Sequence, residues 1–505
     1  MNDAKPTGSA QQEFSPLRSA LWPIHGHEMK KFLPMSFLMF FILFVYTMVR
    51  DLKDALVQYY TIGGGTELIS QLKLWFVMPM AFLLVIVYAA LINKFGFQKT
   101  FYIMVSAFML FYVLFVTVLF PFRTMLHPSE ATVKAMQASW PPFFYWIIPC
   151  ITNWSVTLFY VISELWGTMA ISSLFWQFAY QVTMKNEVKR FFGLYAIVGN
   201  IGVVCSGGVL KTIPKIFSAN DLYIYILVGG CIGFGIATMA MYSYINNVVL
   251  KDPTLYDPTQ VKAKKKKEKV GVMDGIKMIG KSRYLLLICT IVISYGVAIN
   301  FCEVIWKKYM KIYFPNPIQY TEMMANLSML TGILTIIVSL VGQNILRKTK
   351  WRTAALIPAS ILVIFGSMFF GIVLYGNYVS PTIFGVSFIV LAVWFGLAQD
   401  SLSKSVKYCL FDATKNMAYL PLDDDTRTKG QAAVEVIGGR AGKAGASAIQ
   451  TLMISVISAG SVLTDHLVGI SAILGVTAAV WVGSIFNLSK KYESKISQQN
   501  AENKK

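Results

Sequence analysis

A small set of charged residues lies in or beside long apolar runs of this sequence. Burying a charge in hydrocarbon costs at least ~2.5 kcal/mol on insertion scales, so each such residue is expected to face a partner or a cavity. They are Arg50, Asp51, Lys53 and Asp54 in RDLKD, Glu164 in ISELWG, Glu303, Lys307 and Lys308 in CEVIWKK, and Arg440 and Lys443 in GGRAGKAG. Glu164 has apolar sequence on both sides and no basic residue within a helical turn, so its counter-charge has to come from another helix or from a ligand. Lys443 stands a few residues inside its run, where a cavity-facing cation competes with one that snorkels back to the surface. For Arg50, Asp51, Lys307 and Lys308, at the ends of runs, snorkelling and local pairing stay open as alternatives. Several cations and two lone carboxylates directed at one cavity suit a polyanion. Lys supplies a point charge and Arg a bidentate fork for phosphate oxygens, and a low-dielectric surround strengthens both. Glu164 and Glu303 would balance charge in the empty cavity, form switchable pairs, or take up a proton.

Other chemistries are poorly represented. GGRAGKAG has three residues between Gly438 and Gly442 where a nucleotide-binding P-loop needs four, and Ala444 replaces the hydroxyl after the lysine. What remains of the phosphate-loop idea is glycines at the start of a helix, whose free N–H groups favour anions. The six cysteines include no CxxC pair, and the four histidines fall outside the apolar runs, so neither a metal centre nor a histidine relay is expected. No cofactor is called for. An intramembrane enzyme, such as a lipid-modifying transferase, would need a catalytic base or metal cluster that the sequence does not offer.

The elements that must position these charges are membrane helices. Hydrophobic residues make up 55% of the 505, only 14% are charged, and mean hydropathy is positive. This balance belongs to a polytopic membrane protein, because lipid cannot satisfy an open backbone and each crossing takes roughly 20 apolar residues. Runs of that kind fall near 32–49, 74–92, 101–120, 144–178 (long, and expected to be broken or tilted), 191–210 and 223–244. A second six lie near 284–300, 324–346, 353–375, 383–398, 441–459 and 467–486. The expected fold is all-α, with about twelve transmembrane helices in two six-helix bundles. Its divisions are a tail over 1–31, bundles over 32–245 and 284–487, a basic linker over 246–283, and a tail over 488–505.

The net charge of +20 does not point to nucleic acid. Of the 45 Lys and Arg residues, 34 fall in alternate segments: the two tails, the linker with its KAKKKKEK, and the connections near 94–99, 185–190, 347–352 and 404–440. Under the positive-inside rule this puts both termini and the linker in the cytoplasm, with the linker a solvated orientation signal. The first 31 residues lack an apolar h-region, so no cleavable signal peptide is expected.

Offsetting the halves by 240 residues sets KRFFGLYAIVGNIG (189–202) against KGQAAVEVIGGRAG (429–442), and Glu164 against Lys404. Combined with the six-plus-six spacing, this favours a pseudo-symmetric pair of bundles with a site near the midplane. Asn200 and Arg440 occupy equivalent places in that alignment and join the candidate contacts. Gly199, Gly202, Gly207, Gly439 and Gly442 would let helices approach closely.

RDLKDALV (50–57), FYVISELWGTMAISSLFWQFAYQ (159–181), DPTLYDP (252–258), EVIWKKYMK (303–311) and KYCLFDATKNMAYLPLDDDTRTKGQAAVEVIGGRAGKAG (407–445) closely resemble the ATP/ADP translocases of plastids and obligate intracellular bacteria. The rickettsial and chlamydial branch is the most similar, and the likeness runs from about Trp22 to the last apolar run. It implies a major-facilitator-like transporter that works by alternating access; the expected setting is the bacterial inner membrane, and the expected state a monomer. It implies import of host ATP in exchange for ADP, with no chemical conversion. The family's functional Lys and Glu residues fall here on Lys53, Glu164, Glu303 and Lys443. AGKAGA stands where many relatives have LGKSGG, which bears on fine substrate preference. Within the same family, a proton-coupled nucleoside triphosphate importer, a broad nucleotide exchanger and an NAD carrier are the alternative activities, and phosphate is a further candidate cargo.

Overall fold

In a computed structural model that describes residues 22–184, 187–256 and 272–502, the chain is almost wholly helical. The KAKKKKEK stretch lies outside the described residues. Twelve helices carry the architecture. In the first half they are α1 (Met29–Tyr59), α2 (Glu67–Gln71), α3 (Met78–Leu114), α4 (Trp154–Trp166), α5 (Val188–Ile216) and α6 (Leu222–Asn247). The second half has α7 (Arg283–Tyr313), α8 (Pro317–Lys348), α9 (Trp351–Tyr378), α10 (Phe388–Val406), α11 (Gly439–Thr451) and α12 (Leu467–Glu502).

Among the described residues nine helical stretches are long and apolar enough to cross a membrane. One of them, Glu67–Leu119, has 53 residues, about 80 Å of helix against a hydrocarbon core of about 30 Å. It is broken at Gly96, whose φ of 76° and ψ of 170° only a residue without a Cβ adopts readily, so it makes two passes. The more polar helical segments around α10 and α11 supply two more, and the succession is compatible with twelve.

The two halves pack alike. α1 lies against α4, α5 and α6, and α7 lies against α10, α11 and α12, so α1 and α7 are the central helices of their bundles. The bundles meet chiefly along α5 and α8, with α1 also touching α8. The repeat alignment has a physical counterpart in two glycines. A Cβ at Gly202 would come within 2.7 Å of the Phe40 carbonyl on α1, and one at Gly442 within 2.9 Å of the Ile293 carbonyl on α7. At both positions a helix backbone rests on its neighbour's backbone, which only glycine permits. Gly199 and Gly207 are similarly crowded, but Gly439 faces open space and makes no such contact.

One local expectation is met and two change. The run at 144–178 is interrupted at Asn153 and continues after α4 as a π-helical stretch, Gly167–Phe175. The tenth pass begins at Phe388, because Thr382–Ile383 and Val386–Ser387 form a short antiparallel hairpin first. GGRAGKAG does not open a helix. Asp424–Ala433 leads through a π stretch, Val434–Gly438, directly into α11, and Gly438 has helical φ and ψ. The backbone N–H groups there are spent on helix bonds, so the expected anion-binding helix start is absent from this segment.

Candidate functional site

The charges singled out by their cost in lipid converge where α1 and α7 approach each other. Lys53 contacts Glu164 on α4 at 3.0 Å and Asp54 at 2.9 Å. Asp54 contacts Lys307 across the bundle interface at 2.9 Å, and Lys307 contacts Glu303 one turn back at 2.8 Å. Glu303 reaches Lys404 on α10 at 3.4 Å, and Lys404 pairs with Asp400 at 2.8 Å. Seven side chains thus form one alternating chain of ion pairs from α4 to α10, crossing between bundles at Asp54 and Lys307. Lys53, Asp54, Lys307 and Asp400 are almost wholly buried. Charges are tolerated at that depth only when paired and hydrogen-bonded, which this alternation accomplishes.

The chain is pseudo-symmetric with its signs exchanged. In the first bundle the central helix gives a cation, Lys53, to an anion on α4. In the second the central helix gives an anion, Glu303, to a cation on α10. Glu164 and Lys404 are the residues that the 240-residue offset sets opposite each other, and each is followed three residues later by a π stretch, Gly167–Phe175 and Lys407–Phe411. Stretches of this kind are uncommon and gather at functional sites.

Next to α1's charged end, Arg50 donates to Asp51 at 2.8 Å and to Ser328 of α8 at 2.5 Å, and Ser328 donates back to Asp51. Two other cations differ from these. Lys443 is exposed, and only its backbone carbonyl is engaged, accepting from Asn300 Nδ2 at 3.2 Å. Lys73, on the π stretch Leu72–Val77 between α2 and α3, is half-buried and within electrostatic reach of Glu164 and Glu303. Among the described residues neither ammonium has an ion-pair partner. Lys443 also acts on Glu164, so both free cations border the same carboxylate. Arg440 lies over the Phe82 ring at 5.3 Å, and its buried Nη1 has no hydrogen-bond partner. Asn200 donates only to Ala196 of its own helix.

At one end of the molecule the two bundles are bonded together. The far end is the one where α1 and α7 finish; the near end is the one where they begin. At the far end Glu67 accepts from Lys308 at 2.6 Å and from the Leu463 N–H at 3.3 Å, and Lys311 donates to the Gln58 carbonyl. Gln58 donates to Tyr320 at 2.6 Å, Ser70 to Gln450 at 2.5 Å, Gln71 to Ser455 at 3.0 Å and Trp146 to the Ser461 carbonyl at 2.9 Å. Each of these bonds joins the two bundles. Exposure follows the same axis: Glu67 is 1% exposed, Glu164 28% and, nearer the other end, Tyr408 46%. The site is therefore reached from the near end.

Sequence reasoning identified Lys53, Glu164, Glu303 and Lys307, which the structure joins in one network, and Lys443, Arg440 and Asn200, which lie outside its ion pairs. It missed Lys73, which directly precedes the second apolar run and reads as a boundary residue. It counted Lys404 among the basic residues of a connection and left Asp400 aside, although both are inside the network. Their i, i+4 spacing on an apolar helix was the available signal.

The profile of the TLC ATP/ADP transporter family matches residues 7–492. The chain is 38% identical to ADP,ATP carrier protein 1 of Chlamydia pneumoniae, covering 96% of both chains. It is 39% identical to ADP,ATP carrier protein 1 of Rickettsia typhi, covering 96% of this chain and 98% of that one. Among solved structures, a bacterial homologue of the iron transporter ferroportin in an inward-facing state superposes with a TM-score of 0.58 at 11% identity, over 92% of this chain and all of that one. The nucleoside transporter NupG superposes with a TM-score of 0.53, also at 11% identity, over 92% and 99%. Those two likenesses speak for the transporter fold, and the family profile with the carrier sequences for kinship: this chain belongs to the TLC ATP/ADP transporter family.

Proposed function

We propose that this protein is a nucleotide antiporter that exchanges ATP for ADP by alternating access, with its near end and both termini in the cytoplasm of a bacterium whose host supplies the ATP. The observation that carries this reading is the ion-pair chain between the bundles with two unpaired cations, Lys73 and Lys443, at its edge. Phosphates entering from the near end would meet Lys73 and Lys443 first, with Arg440, whose Nη1 is buried and unpartnered, and Asn200 as further contacts. Their negative charge then competes with Glu164 and Glu303 for Lys53 and Lys307, because a phosphate offers these ammoniums the same charge-assisted bonds. With Asp54 released, the bundles can rock about the ligand and open the far end. In the empty carrier the carboxylates hold the lysines and the bridge persists. A ligand shifts a two-state protein only by its differential affinity, and here the differential is the exchange of carboxylate for phosphate partners. Obligatory exchange follows, by a carrier acting as a single chain.

The decisive test is uptake of labelled ATP into proteoliposomes loaded with ADP, GDP, NAD, phosphate or buffer. Exchange requires internal ADP to drive uptake well above buffer; equal rates would sink it. One feature favours a second reading, proton-coupled import: Asp400 keeps a buried carboxyl oxygen without a partner, as a proton acceptor would. That reading requires uptake into buffer-loaded vesicles that stops when the proton gradient is collapsed.

A further inference from the structure

Two tyrosines stand on the near side of the ion-pair chain, and the phosphate scheme leaves them without a role. Tyr46 precedes Lys53 by seven residues on α1, about 10 Å toward the near end at 1.5 Å per residue. Tyr408 follows Lys404 by four residues, displaced about 6 Å in the same direction. Each ring carries a cation: the Arg50 guanidinium lies 5.4 Å from the Tyr46 centroid and the Lys407 ammonium 4.5 Å from that of Tyr408. The pairs belong to different bundles but lie near one another, since Arg50 is within electrostatic reach of Tyr408 and Lys407 of Tyr46. That proximity distinguishes Tyr408, 46% exposed, from a tyrosine turned to lipid.

Tyr46 is seated by Gly167, the last residue of ELWG: a Cβ there would come within 2.4 Å of Tyr46 Cε2. The motif that supplies Glu164 to the ion pairs thus also makes room for this ring. Both cations already have carboxylate partners, Arg50 with Asp51 and Lys407 with Asp412 at 3.1 Å. The region between the rings is therefore locally neutral, unlike the Lys73 and Lys443 edge, and offers aromatic faces rather than spare charge. Among the described residues neither tyrosine hydroxyl has a protein hydrogen-bond partner.

We propose that Tyr46 and Tyr408 are the walls of a slot that stacks the nucleobase, one from each bundle, while the phosphates lie deeper at the lysines. The slot rests on the nucleotide-exchange reading and refines it. Its walls are apart when the near end is open and come together as that end closes, so a stacked base couples the bundles from the cytoplasmic side. Stacking on an aromatic face tolerates every base, so the slot sets the preference for a nucleotide over a bare polyphosphate and leaves the choice among bases to other contacts.

The test uses ADP-loaded proteoliposomes and labelled ATP, with unlabelled ATP or tripolyphosphate, which has no base, as competitor. Tyr408→Ala should raise the ATP concentration for half-inhibition about tenfold, Tyr408→Phe should restore it, and the tripolyphosphate value should stay at that of the unmodified protein. Tyr46→Ala and Tyr46→Phe should behave alike; because Tyr46 is packed, its variants are compared by melting in detergent first, and Tyr408 decides if they unfold. ATP and tripolyphosphate shifting together, or neither shifting, overturns the slot while leaving exchange intact. Unmodified protein that ignores tripolyphosphate overturns the division between slot and lysines. Absence of ATP uptake by the unmodified protein overturns exchange and the slot with it.

Discussion

Lys53 and Lys443 are both lysines in apolar surroundings, yet substituting them should have different physical effects. Lys53 is held by Glu164 and Asp54, and removing it leaves Glu164 without its ion-pair partner and Asp54 with Lys307 alone. Lys53→Ala should therefore lower stability by about 3 kcal/mol as well as abolish exchange, because a buried charge without its partner is costly. Adding Glu164→Gln should recover part of that stability and none of the transport, as read by thermal unfolding and uptake together. Lys443→Ala and Lys73→Ala remove ammoniums that no carboxylate holds. They should leave melting within the usual scatter of surface substitutions, about 0.5 kcal/mol, while exchange falls to background; near-normal exchange in either would refute its place in the phosphate site. Glu164 and Lys443 were legible in the sequence because an ionisable residue inside an apolar run has a visible cost. Lys73 was not, since it stands where a run begins and no local pattern tells how deep it lies; Asp400, where a run gives way to polar sequence, was marked only by its i, i+4 spacing to Lys404.

At the level of elements, the close approach of backbones is what fixes α5 on α1 and α11 on α7. Gly202→Ala and Gly442→Ala would each drive a methyl group into a carbonyl oxygen of the facing helix. Each should cost about 1–3 kcal/mol, the usual penalty of overpacking. Gly208→Ala and Gly439→Ala meet open space and should be neutral or slightly stabilising, by up to about 1 kcal/mol for an Ala in a helix. Melting of the four variants in one detergent separates the classes, and equal destabilisation would show that helix propensity rather than contact is being read. The G-x-x-G pairs marked the right helices, but only the second glycine of each does the same job in both halves. Helix counts came from apolar length, and the helices among the described residues are compatible with them. What apolar length could not convey was continuity through polar sequence: Asp424–Ile457 runs as uninterrupted helix although its first half is hydrophilic, because tertiary packing against α7 stabilises it.

For the whole molecule, the far-end seal defines the conformation seen. Glu67 is its most buried charge and bonds to two separate segments of the second bundle. Glu67→Gln or Lys308→Met should shift the resting population toward opening at that end, whereas the exchanged pair Glu67→Lys with Lys308→Glu should restore closure. A cysteine placed at Gln71, in a background with the native cysteines replaced, reports this through its labelling rate by an impermeant thiol reagent. Faster labelling in the single variants and recovery in the exchanged pair are expected; unchanged labelling would show that the seal is held by the remaining polar bonds. The sequence placed charge at the ends of α1 and α7 but could not show which of those charges cross the interface, since that depends on how two bundles far apart in the chain are docked.

The alternating chain of ion pairs also has an electrical consequence. Its four carboxylates and three ammoniums, with Lys73 and Lys443 beside them, leave the empty cavity within about one charge of neutrality, so the protein contributes little charge of its own to either crossing. A loaded carrier then moves essentially the charge of its cargo. ATP bears one more negative charge than ADP, and each net charge crossing is worth about 2.3 kcal/mol per 100 mV of membrane potential. Voltage, along with the two nucleotide gradients, therefore sets the ratio at which exchange stalls, unless a companion anion or proton cancels the difference.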